Sequence, residues 1–126
     1  MRILVLSDIH GNQPALQSVL LDAGSVDQIW CLGDLVGYGP YPNECIQTLM
    51  KLPNLVCLLG NHDAAVVGMI PLHTFNQDAR SSVQWTSAAL TNPNRSWLES
   101  LPEIEVIGQF TLAHGSPRNP VWEYLL

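Results

Sequence analysis

Apolar positions in the first half of the chain come in short unbroken runs, each ending in a polar cluster. Ile3-Leu4-Val5-Leu6 ends at Ser7-Asp8, Gln28-Ile29-Trp30-Cys31-Leu32 at Gly33-Asp34, and Leu55-Val56-Cys57-Leu58-Leu59 at Gly60-Asn61. Continuous rather than alternating apolarity predicts strands buried on both faces, as in a parallel α/β sheet. Between the first two runs, Leu16, Val19, Leu20 and Ala23 recur at i, i+3, i+4 and i+7, the stripe of an amphipathic helix. Asn12 is its expected N-cap, Pro14 suits its first turn and Gly24 its end. Cys45, Ile46, Leu49 and Met50 form a shorter helical face before the third run. The pattern predicts βαβ units with right-handed crossovers.

After residue 63 the pattern changes. Ala79, Val83, Thr86 and Leu90 have helical spacing, and Trp97, Leu98 and Leu101 make a further helical turn closed by Pro102. Residues 103–107 then alternate with period two, and residues 109–113 follow across Gly108, which predicts a hairpin in a second, partly solvated sheet.

In open α/β sheets ligands bind beyond the carboxyl ends of the strands. Here the strand ends carry Asp8-Ile9-His10, Gly33-Asp34, Gly60-Asn61-His62-Asp63 and His114-Gly115. Gly-Asp and Gly-Asn are ordinary turn dipeptides, so no one cluster is decisive. Four clusters at four strand ends, holding all the histidines except His73, predict one rim. Asp8 and His10 are two residues apart, and an extended backbone there would point both side chains one way. Carboxylates, imidazoles and the Asn61 carbonyl make a mixed nitrogen and oxygen set. Such a set suits manganese, iron, cobalt, nickel or zinc better than calcium, and the lack of a neighbouring cysteine argues against structural zinc.

Composition narrows the function. The 126 residues are one domain's worth, taken as a single domain over 1–126. A net charge of -6 argues against a nucleic-acid-binding face. The one lysine, Lys51, lies in no phosphate loop, and no Gly-x-Gly-x-x-Gly turn follows the first run, so Walker and dinucleotide-binding chemistry are excluded. The three cysteines form no CxxC pair and read as small hydrophobes of a reducing compartment. No apolar stretch is long enough to span a bilayer. A cytoplasmic location is expected.

In order, these clusters resemble the motifs of the calcineurin-like metallophosphoesterases, most specifically at residues 7–12 and 60–63. Residues 33–40 and 114–118 are similar to the small phosphodiesterase-like branch. Protein phosphatases and dinucleoside tetraphosphatases of the superfamily carry an Asp-Arg pair after the second motif and typically Asn-His-Glu, where Val36-Gly37 and Asp63 stand here. The resemblance implies an α/β fold, a β-sandwich flanked by helices in αββα layers. It implies hydrolysis of a small phosphoester, a phosphodiester first, at a dinuclear centre with a bridging water as nucleophile. Asp8 and His10 would bind one ion, Asp34 both, and Asn61 and His114 the other, with manganese the first candidate. His62 would face the phosphate as proton donor or transition-state stabiliser, with Asp63 orienting its ring. Two cations about 3.5–4 Å apart acidify water and clamp a phosphoryl group for in-line attack.

The family also closes its site with a late Gly-His-x-His, and no histidine follows His114. Three protein ligands per ion remain. The second sheet is expected to be incomplete, which favours a homo-oligomer or a complementing chain over the uncovered face. The alternative function is a catalytically silent binding module or fragment that keeps the fold.

Overall fold

The first apolar run becomes β1 (Ile3–Leu6), the second β2 (Gln28–Cys31) and the third β3 (Leu55–Cys57). They pair in parallel in the order β1-β2-β3, with Val5 opposite Trp30 and Cys31 opposite Cys57. The protein is described here from a computed structural model covering residues 1–123; the last three positions of the expected domain, Tyr124, Leu125 and Leu126, lie outside the described residues.

Helix α1 (Gln13–Ala23) joins β1 to β2, and α2 (Pro42–Met50) joins β2 to β3. The Asn12 side chain accepts from the Ala15 N–H at 3.1 Å and Gly24 ends α1 with φ 65°, as the capping residues predict. After β3 come α3 (Asn61–Val66), a 3-10 turn (Leu72–Thr74), α4 (Gln77–Ala89) and α5 (Asn92–Glu99). Strands β4 (Ile104–Ile107) and β5 (Phe110–Ala113) then form an antiparallel hairpin. His73 is exposed in the 3-10 turn.

The main core lies between one face of the parallel sheet and the helices, with Ile46, Leu49, Val66, Val83 and Leu98 fully or almost fully buried. A second cluster of Trp30, Leu58 and Leu112 joins the other face to the hairpin. The layers are therefore helices, parallel sheet and hairpin, the expected sandwich. Among the described residues no helix covers the outer side of the hairpin. The cysteines are buried free thiols; burial, with the Glu44 charge, pushes Cys45 up to about 12.

Three expectations are corrected. Burial on both faces does not extend to β1: it is an edge strand, and Val5 is 53% exposed. Val19 and Met50 are exposed too, because each lines an open groove, beside β1 and beside β3 respectively. The hairpin's polarity is reversed. Ile104 and Val106 face outward, while Glu105 lies opposite buried Leu112 and stays wet by lining the groove beside β3.

Candidate metal centre

The loops after the strands are laced together by their backbones. The Asp8 N–H donates to the Gly33 carbonyl at 3.0 Å, the His10 N–H to the Asp34 carbonyl at 2.9 Å and the Gly11 N–H to the Leu35 carbonyl at 2.8 Å. The loop after β1 thus lies along the loop after β2. From the other side Asp63, in the first turn of α3, holds that second loop. Its carboxylate accepts from the N–H groups of Asp34 (2.7 Å), Leu35 (2.9 Å), Val36 (3.2 Å) and Gly60 (2.9 Å). Asp34 packs so closely on Gly60 that a Cβ at residue 60 would collide with its carboxylate.

Asp8, His10 and Asp34 each offer a ligand atom, and these atoms all lie within 4.8 Å of one another. His10 Nε2 is 3.5 Å from Asp8 Oδ1 and 3.5 Å from Asp34 Oδ2. From the far side, His114 Nε2 is 3.4 Å from the same Asp34 oxygen and 3.0 Å from Asn61 Oδ1. The other Asp34 oxygen accepts the His62 N–H at 3.0 Å. All five predicted ligands therefore meet around one buried carboxylate.

The tautomers decide what this cluster can hold. His10 Nδ1 is 3.1 Å from the Val36 carbonyl and His114 Nδ1 is 2.9 Å from the Leu32 carbonyl. A carbonyl only accepts, so both Nδ1 atoms carry hydrogens, and a ring without a proton on Nε2 would turn that atom's lone pair toward the carboxylate and amide oxygens. Lone pairs that converge with no donor between them fit a cation, and the Nδ1 bonds are the outer contacts that orient histidine ligands. Without a cation a proton can do the same work. Burial alone would lower the His114 imidazole, but its bond to Asp34, that carboxylate's charge and the Leu32 carbonyl raise it to about 9.

His62 sits against this cluster without being part of it. Its ring meets His10, Tyr38 and Phe75 at centroid distances of 4.9, 4.9 and 5.1 Å. Its Nδ1 is buried and has no hydrogen-bond partner among the described residues. Burial lowers this imidazole; Asp34 and Asp8 oppose that and His10 and His114 reinforce it, and the net shift favours the neutral ring. An orphaned buried N–H is the costlier state, which leaves the proton on Nε2.

Two expected details are corrected. Asp63 does not orient the His62 ring: all its recorded bonds go to backbone N–H groups, while His62 Nδ1 stays unpartnered. Burial and the Asp34 charge push this carboxyl up to about 7, against the pull of its backbone donors. Nor do Asp8 and His10 converge through an extended backbone. Both are left-handed, with φ 58° and 49°, and so is Asp34 at 57°. Non-glycine residues rarely adopt that region, and such strain gathers at functional sites. Sequence reasoning also passed over Tyr38 and Phe75, which wall in His62; no local pattern marks them.

Comparison with known proteins shows the family and the fold. The family model for calcineurin-like phosphoesterases matches residues 1–125. An uncharacterised protein of Methanocaldococcus jannaschii is 41% identical over 130 residues, covering 98% of this chain and 53% of its own length. A symmetrical bis(5'-nucleosyl)-tetraphosphatase of Nitrosococcus oceani is 33% identical over 114 residues, 81% of this chain and 38% of the relative. The crystal structure of a metallophosphoesterase from Sphaerobacter thermophilus is 49% identical and superposes with a TM-score of 0.86, over 99% of this chain and 51% of that one. The chain spans about half the length of the first of these relatives and of that solved structure.

Proposed function

The chain belongs to the calcineurin-like phosphoesterase family, and on that premise we propose that it hydrolyses small phosphoesters, phosphodiesters first, using two divalent transition-metal ions. Asp8 and His10 would hold one ion, Asp34 both, and Asn61 and His114 the other, with manganese the first candidate. One observation carries this reading: two imidazoles, each with Nδ1 tied to a backbone carbonyl, turn their Nε2 atoms on the same Asp34 oxygen. Bound there, the ions supply Lewis acidity toward phosphoryl oxygens and an acidified water.

The chain's own residues do the rest. His62, neutral and with its proton on Nε2, donates to a phosphoryl or leaving-group oxygen. Asp63 acts through Asp34: by gripping residues 34–36 it keeps the shared carboxylate in place. The similarity to a bis(5'-nucleosyl)-tetraphosphatase adds dinucleoside polyphosphates to the substrates worth testing.

The test is manganese-dependent hydrolysis of bis(4-nitrophenyl) phosphate, with manganese binding measured alongside by calorimetry. Asp34→Ala should abolish turnover and weaken binding by well over tenfold, since even outer-contact losses cost about 10–100-fold. Hydrolysis that survives Asp34→Ala, or ignores a chelator, would overturn the proposal. Tight manganese binding without turnover would instead assign the chain to the silent-module alternative.

A further inference from the structure

Tyr38 stands at the rim of this site in a conformation that its residue type disfavours. Its φ is 68°, and a bulky side chain in the left-handed region is an outlier. The fold holds it there: its N–H donates to the Ser82 hydroxyl of α4, and Gly37 before it has φ 91° with His62 so close that a Cβ there would lie 2.9 Å from Nδ1. The ring rests 4.9 Å from His62, tilted by 46°, and 5.2 Å from His10, edge-on at 68°. Yet Tyr38 is 53% exposed, so core burial does not account for its position. Phe75 and Trp122, with ring centroids 5.0 Å apart, continue the aromatic wall beyond His62.

A half-exposed ring with one flank on two site imidazoles can serve as a stacking platform. We infer that Tyr38 is a specificity-determining residue that stacks on a planar base joined through its sugar to the phosphate held at the metal centre, which makes nucleoside phosphoesters the substrate class. The inference rests on the proposed phosphoester chemistry for where the phosphate sits. It does not rest on turnover.

AMP and ribose 5-phosphate share phosphate and sugar and differ by the base, so their affinities for the manganese-loaded 126-residue chain isolate stacking. A base on an aromatic face holds about tenfold or more. By calorimetry AMP should bind at least about tenfold more tightly than ribose 5-phosphate. Tyr38→Leu should close that gap and Tyr38→Trp should keep it. No gap in the parent protein overturns the inference, as does a gap that Tyr38→Leu leaves intact. Equal loss of both ligands in Tyr38→Leu also overturns it, because the ring would then serve the phosphate site. Should bis(4-nitrophenyl) phosphate go unhydrolysed while the base preference stands, the hydrolytic reading falls and the stacking assignment survives.

Discussion

Asp34 is 2% exposed and still meets two imidazoles and a backbone N–H. So deep a carboxylate needs compensating charge, and His114 provides it when no metal does. Its folded pKa of about 9 lies above the ordinary 6.5. The protonated ring therefore stabilises the metal-free protein fully below about pH 6.5, and that contribution fades as pH rises through 9. A cation bound there must displace the proton. At pH 7–8, manganese binding should release about one proton per ion at this subsite, and affinity should climb with pH until about 9. Calorimetry in buffers of different ionisation enthalpy reads the proton count directly, and His114→Asn should remove it. Buffer-independent heats would show that His114 is not a ligand. These ligands are legible in sequence because each interrupts or ends an apolar run with a group that strands do not otherwise need. Asp63 is legible as a member of the cluster but not in its role, because its partners are backbone N–H groups on a loop 27–29 residues away.

Among the elements, legibility follows amphipathicity. Helices α1, α2 and α4 announce themselves by apolar stripes, and the hairpin by alternation about Gly108. Helix α3 does not: all six of its residues are buried, so it has no polar face for a periodic pattern to show. Its work is to deliver Asn61, His62 and Asp63 to the ends of β2 and β3. The Asp63 clamp is thus a joint between elements. Asp63→Ala should strand four buried N–H groups, each costing about 1–3 kcal/mol when unsatisfied. We expect a loss of about 4 kcal/mol or more in urea denaturation, together with weakened manganese binding as residues 34–36 come free. Asn76, the cap of α4, is the contrast. Its side chain satisfies one N–H, that of Ala79, so Asn76→Ala should cost about 1 kcal/mol and leave manganese affinity unchanged. Equal effects from the two substitutions would deny Asp63 its joint role.

On the scale of the whole molecule, the site and the surfaces pull apart. The predicted ligands sit at the ends of the strands and the start of α3, whereas several exposed apolar side chains lie away from them on the strands: Val5 on β1, and Ile104, Val106 (66% exposed) and Phe110 on the hairpin. The reversed polarity of β4 has a physical reading here. Outward Ile and Val, uncovered among the described residues, are what an inner layer of a sandwich presents on its packing side. The relative from Methanocaldococcus jannaschii has about as much chain again, and we propose that chain of that kind covers these faces. The 126 residues alone should then associate through them and bind a hydrophobic dye. The net charge of -6 opposes association at low salt, so raising ionic strength should strengthen it, the reverse of contacts built on ion pairs. Val5→Lys with Val106→Lys should give a monomer by sedimentation velocity, with cooperative unfolding and manganese affinity retained, because both side chains are exposed on strands and neither is one of the ligands. A parent chain that stays monomeric and dye-free at high salt would mean that these faces need no cover.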